Sequence, residues 1–260
     1  MAQKKAQERI AILGDIHANL EAFQAVLAAA KERGVTQYVC IGDIVGYNAN
    51  PKECLDMLRA LKPIGVVMGN HDEYVGANHD LSGFNPVAQL AVKWTRERLS
   101  MDDRKWLTSL PYQKEIFRFG TGMPPFCIVH GTLDNPGMWG YIFTRLNAMA
   151  SMEYQGNDNL CFCGHTHVPM YFIKDDLDTK AFYFPFEKPL KLEMNQKYLF
   201  NVGSVGQPRD GDPRAAFTIY IPDDETVELI RVPYDIKKTQ EKIVAAGLPP
   251  RLADRLAEGR

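Results

Sequence analysis

The chain has 260 residues, with 30 Lys and Arg against 32 Asp and Glu, a net charge of −2 at pH 7. That balance excludes a polyanion-wrapping surface, and 45% hydrophobic with 24% charged residues excludes a disordered chain. Five cysteines without framework spacing exclude a disulfide scaffold and read as free, buried thiols.

The first apolar run, Ile10–Leu13, ends at Gly14 and is too short for a signal-peptide core or a bilayer span. The chain therefore reads as cytoplasmic, with no membrane partner. Asn19 is placed to cap a helix with the apolar stripe Leu20, Phe23, Val26, Leu27 and Ala30, stopped by Gly34. A second run, Tyr38–Ile41, ends at Gly42; Pro51 opens a second helix through Cys54, Leu55 and Leu58; a third run, Ile64–Met68, ends at Gly69. This alternation is the pattern of parallel α/β structure.

Helices are expected over Phe84–Leu99 and Asp102–Leu110, then strands over Tyr112–Phe119 and Phe126–Val129, separated by the turn-rich GTGMPP. Tyr141–Tyr154 reads as helical. Strands follow at Leu160–Cys163, Val168–Ile173, Ala181–Phe186, Tyr198–Val202, Ala215–Ile221 and Val227–Val232. Helices over Ile236–Ala246 and Leu248–Arg260 close the chain. The expected organisation is one domain over 1–260 with a helical insertion at about 78–110.

Five of the six histidines lie in short polar motifs beside strand ends: Asp15-Ile16-His17, Asn70-His71-Asp72, His130-Gly131 and His165-Thr166-His167; Gly42-Asp43 ends another strand. Singly, each has an ordinary explanation in turn or cap chemistry. Five at successive strand ends deliver carboxylate, imidazole and amide groups to what should be one sheet edge, where open parallel sheets bind ligands. Such mixed donors suit borderline divalent ions.

The order DIH, GD, GNHD, HG, GHTH resembles the calcineurin-like metallophosphoesterase superfamily over about residues 9–210. Gly42–Pro51 and Asn201–Arg209 resemble segments of its small bacterial phosphoesterase branch. The resemblance implies an α/β (α+β) fold, a four-layer double β-sandwich flanked by helices, in place of a plain doubly wound sheet. It implies two divalent metal ions, Mn first among Mn, Fe, Zn and Ni. Asp15, His17, Asp43 and His167 would hold one, while Asp43, Asn70, His130 and His165 would hold the other.

The implied reaction is phosphoester hydrolysis by in-line attack of a metal-bridging hydroxide. His71 would act as general acid, and Asp72 would orient His71 or cap a following helix. Relatives that act on phosphoproteins or dinucleoside tetraphosphates carry Arg-Gly shortly after the Gly-Asp; here the stretch is Gly46-Tyr47-Asn48. The expected substrate is therefore a small phosphodiester or nucleotide-type molecule, with Arg209 as a candidate phosphate contact. A phosphomonoesterase or protein phosphatase is the alternative, and a non-catalytic scaffold ranks below it. Nucleic acid is disfavoured as a partner by the net charge; a homo-oligomer is left open. His79 reads as a solvated loop residue. Phe84, Trp94 and Trp106 read as packing residues, a lid or a dimer surface.

Overall fold

A computed structural model describes residues 7–117, 124–175, 178–183, 188–193 and 195–260. In chain order the elements are β1 (Ile10–Leu13), α1 (Leu20–Glu32), β2 (Gln37–Cys40), α2 (Pro51–Ala60), β3 (Gly65–Val66) and α3 (Asn70–Gly76). Then come α4 (Pro86–Arg96), α5 (Met101–Thr108), β4 (Gln113–Ile116), β5 (Phe126–Val129), α6 (Arg145–Met152) and β6 (Leu160–Cys163). The chain ends with β7 (Met170–Lys174), β8 (Thr179–Tyr183), β9 (Leu190–Lys191), β10 (Lys197–Asn201), β11 (Ala215–Ile221), β12 (Thr226–Val232), α7 (Ile236–Ala245) and α8 (Pro250–Glu258).

The strands form two six-stranded sheets, ordered β3-β2-β1-β11-β12-β9 and β4-β5-β6-β10-β7-β8. Alternation along each strand builds the layers. In β1, Ile10 and Ile12 face the second sheet and share a core with Phe126, Phe162 and Phe200. Ala11 and Leu13 point the other way and pack with Phe23, Val26 and Leu55 of α1 and α2. In the second sheet Cys161, Leu199 and Phe172 face Ala148 and Met152 of α6. Helix, sheet, sheet and helix make the four-layer double sandwich that the resemblance implies. Strands covered on both faces read as unbroken apolar runs, which is why β1, β5 and β6 are legible as strands.

The caps act where the residue types place them. Asn19 Oδ1 accepts from Ala22 N at 3.1 Å, and Asn85 Oδ1 accepts from Ala88 N at 3.0 Å. Ser100 and Asp103 form a reciprocal capping box on α5. The structure adds α3 and the short β9 to the expected elements. The helix expected over Tyr141–Tyr154 begins only at Arg145, after the Thr144 cap, so Tyr141 and Phe143 lie in irregular chain. Most of GTGMPP, and residues 184–186 of one expected strand, lie outside the described residues.

Candidate metal centre

β1, β2 and β3 run parallel in one sheet, as do β5, β6 and β10 in the other. Their carboxyl ends therefore open on one edge of the sandwich, and the turns after β1, β2, β3, β5 and β6 carry the motif residues. Asp15, His17, Asp43, His165 and His167 all have positive φ, between 47° and 67°. Side chains rarely adopt this left-handed backbone, and here the surrounding turns hold it. Backbone bonds lace those turns together: Asp15 N donates to Gly42 O at 3.1 Å, His17 N to Asp43 O at 2.9 Å and Gly206 N to Asp15 O at 2.9 Å.

The turns bring every motif residue inside. Asp15, His17, Asp43 and His167 present ligand atoms within 4.8 Å of one another, as do Asp43, His130 and His165, and all are buried. Asn70 joins the second group, its Oδ1 3.3 Å from His130 Nε2. Asp43 Oδ2 lies 3.5 Å from His17 Nε2 and 3.3 Å from His130 Nε2, so one oxygen faces both groups.

The far nitrogen of each ring fixes its tautomer. His17 Nδ1 meets Val45 O at 3.1 Å, His130 Nδ1 meets Ile41 O at 2.8 Å, and His167 Nδ1 meets Gln207 O at 2.6 Å. His165 Nε2 meets Trp139 O at 3.0 Å. A carbonyl only accepts, so each of these nitrogens donates and the other nitrogen of a neutral ring is a lone pair. The remaining nitrogens face each other at 3.1 Å, both between His17 and His167 and between His130 and His165. Two lone pairs aimed at one point, with a carboxylate beside them, make a cation position. The donor set thus fits a divalent metal centre.

Electrostatics keeps three of the four rings neutral. Burial pushes His17 and His167 down, and takes His165 to about 3. Burial would lower His130 too, but the adjacent Asp43 carboxylate outweighs it and raises the ring. His130 in turn holds Asp43 low against its own burial.

His71 stands beside these groups. Its backbone N–H donates to Asp43 Oδ1 at 2.8 Å, while its ring packs on Tyr47, with centroids 4.3 Å apart, and on Phe84. His71 Nδ1 is buried without a hydrogen-bond partner, and burial lowers the ring to about 4. That nitrogen lies against Gly46, at φ +95°, where a Cβ would collide with the ring. Among the described residues no hydrogen bond joins Asp72 to His71. The Asp72 carboxylate accepts from the backbone of Ile44, Val45 and Gly69, so it caps α3 and ties that helix to the turn after β2.

Arg209 donates to Gln207 Oε1 at 2.7 Å and lies over the Tyr47 ring, 5.7 Å from its centroid. His79 is exposed and apart from the centre, 3.8 Å from Glu73. The aromatic residues of the 78–110 segment divide. Phe84 lines the 270 Å³ cavity over the centre with His71, Tyr74 and Trp139. Trp94 Nε1 donates to Ala246 O, and Trp106 lies under Arg59. Sequence reasoning missed Tyr141, which stacks on His165 at 4.0 Å, and Asn48, whose amide donates to His17 O at 2.7 Å. Neither carries a signal in its own residue type.

Among the described residues no helix is long and apolar enough to cross a membrane. The model for a calcineurin-like phosphoesterase superfamily domain matches residues 9–224. The uncharacterized protein MJ0912 of Methanocaldococcus jannaschii is 39% identical over 251 residues, 96% of this chain and 98% of that protein. The crystal structure of a metallophosphoesterase from Sphaerobacter thermophilus is 38% identical, with TM-score 0.82 over 98% of this chain and 100% of its own. The hypothetical protein PH1004 of Pyrococcus horikoshii OT3 shares the fold at 21% identity and TM-score 0.78, covering 97% of this chain and 98% of its own. With the motif residues gathered at one edge of a double sandwich, the chain belongs to the calcineurin-like phosphoesterase superfamily.

Proposed function

We propose that this chain is a binuclear metal-dependent phosphoric ester hydrolase acting on phosphodiester or nucleotide-type substrates. The observation that carries the reading is the single Asp43 oxygen facing two buried donor groups. Asp15, His17, Asp43 and His167 hold one ion, and Asp43, Asn70, His130 and His165 the other. Manganese heads the ions this donor set suits, with iron, zinc and nickel behind it. When bound, two divalent ions clamp phosphoryl oxygens and lower the pKa of water.

The chain's own groups supply the rest. Two carboxylates among seven ligands leave the loaded centre positive enough to draw an anionic ester. Burial in the cavity excludes bulk water and strengthens these attractions. With Nδ1 against Gly46, His71 has Nε2 left for the cavity, placed to donate a proton to the departing oxygen. A phosphoryl anion there works against the burial that otherwise keeps the ring neutral. The aromatic lining of the 270 Å³ cavity, and the absence of an Arg in Gly46-Tyr47-Asn48, favour a small ester over a phosphoprotein loop. The five unpaired, buried thiols support a reducing compartment, the cytoplasm.

The test is hydrolysis of bis(p-nitrophenyl) phosphate beside p-nitrophenyl phosphate, after chelator stripping and resupply with Mn, Zn, Ni or Mg. Diester turnover that returns with metal and is lost in Asn70→Ala supports the reading. In His71→Ala the metal content should stay while most turnover goes; full activity there removes the general-acid role. Dominant monoester turnover would put a phosphomonoesterase in its place, and no turnover with any metal would leave a metal-bearing scaffold.

A further inference from the structure

Beside the cavity over the metal centre lies a second one of about 440 Å³. Tyr47 and Asn85 line both, so a phenol ring and an amide form the partition between them. The far wall of the second cavity is α8, which contributes Arg251, Leu252 and Arg255. Arg251 and Arg255 are four residues apart on that helix and so share one face.

Elsewhere arginines meet side-chain carboxylates: Arg59 with Asp103 at 2.7 Å, Arg145 with Asp178 at 2.6 Å and Arg214 with Asp212 at 2.6 Å. Among the described residues no side-chain carboxylate pairs with Arg209, Arg251 or Arg255. Arg255 is half-buried, and its Nε donates to the backbone oxygen of Arg260. Burial lowers it to about 10, with Arg209 and Arg251 adding like-charge repulsion. Arg209 packs on the tyrosine of the partition. Over the Tyr47 ring, it is close enough for its charge to act on His17, His71 and His167 on one side and on Arg255 on the other.

Three cations lie about one partition, and two of them, Arg251 and Arg255, line a cavity with room for a phosphate group. Guanidinium forks match phosphate oxygens in shape as well as charge. We propose that the α8 cavity is a second anion subsite. It binds a further phosphate group of a substrate whose reacting phosphate sits at the metal centre. The substrates are then esters or anhydrides with at least two phosphate groups, such as nucleoside polyphosphates. This deepens the phosphoesterase reading and rests on it.

Two measurements test the subsite separately from that reading. In the first, inorganic tripolyphosphate and orthophosphate are titrated calorimetrically into the chelator-stripped full chain, which needs no turnover. Tripolyphosphate should bind the native protein more tightly, and Arg255→Gln or Arg251→Gln should each weaken it about tenfold. Equal affinity in all three proteins overturns the subsite. In the second, the metal-loaded enzyme is given bis(p-nitrophenyl) diphosphate and bis(p-nitrophenyl) phosphate. The ratio of their kcat/KM values should fall about tenfold in Arg255→Gln and recover in part in Arg255→Lys. Equal loss on both esters would mean that Arg255 only supports the fold, and overturns the proposal. Arg251 is exposed, so Arg251→Gln carries the test if Arg255→Gln does not fold. If tripolyphosphate binding depends on the arginines and yet no ester is hydrolysed, the subsite stands and the phosphoesterase reading fails.

Discussion

His17 Nε2 and His167 Nε2 lie 3.1 Å apart, although the other nitrogen of each ring already donates to a carbonyl. Neither neutral ring has a proton to place between them. A cation that takes up both lone pairs resolves this opposition; in the His130–His165 pair, at the same separation, the Asp43 carboxylate favours a proton on His130 instead.

Asp43 is shared by the two groups and Asn70 belongs to one, so their loss should differ in stoichiometry. Elemental analysis of Asp43→Asn should find both ions depleted. Asn70→Ala should retain the ion of the Asp15 group. Turnover should fall roughly 100-fold or more in each. Two tightly held ions in Asp43→Asn would refute the shared role of this carboxylate.

Metal should also stabilise the fold. Five candidate ligand residues hold left-handed backbone, and a bound cation would give the opposed lone pairs a partner. At 100 to 1,000 times the dissociation constant, a bound ion adds about 3–4 kcal/mol. For a chain of this size that corresponds to roughly 5–15 °C in unfolding temperature. Thermal melts before and after chelation, then with metal restored, measure it; superimposable melts would contradict it.

Gly206 offers a test of the scaffold that removes no candidate ligand. A Cβ there would overlap Ile16 O in the turn that carries Asp15 and His17. Gly206→Ala should cost about 3 kcal/mol in urea unfolding. Gly83→Ala, with nothing within 4 Å of the added carbon, should stay within about 0.5 kcal/mol of the native chain. Equal stability of the two variants would show that the close approach is not maintained in solution.

The thiols make a pH-dependent prediction. Thiolate is the reactive form, and burial raises Cys40, Cys54, Cys161 and Cys163 well above the usual thiol range. Raising a thiol pKa removes thiolate at any lower pH, so these four should resist an aromatic disulfide reagent from pH 7 to 9. Cys127 is also buried, so all five should react quickly only after unfolding. A fast-reacting thiol in the native chain at pH 8 would be inconsistent with this packing.

Much of the centre was legible because its chemistry lies in residue types at strand ends. Asp15, Asp43, His130 and His167 follow apolar runs that are strands for the plainest reason, burial on both faces. The pairing was less legible. Nothing in the runs shows that β1 lies between β2 and β11, or that β10 joins β6 to β7, because register depends on contacts distant in sequence. Helix α3 was hidden because its seven residues are too few to display a period. The role of Asp72 needed three backbone donors from two separate turns to decide it. Tyr141 was absorbed into an expected helix, and only the Thr144 cap releases it to stack on His165.

The acceptors that set the histidine tautomers are main-chain oxygens, from Ile41, Val45, Trp139 and Gln207. Every residue type carries such an oxygen, so substitution at those four positions deletes none of them while the local path of the chain survives. The tautomers are thereby insulated from substitution at those four positions and exposed instead to insertions, deletions and changes of turn geometry. Variation at these positions should be tolerated by kind of change rather than by distance from the histidines. Their side chains can change without loss of an acceptor, and the loop lengths that carry those oxygens cannot.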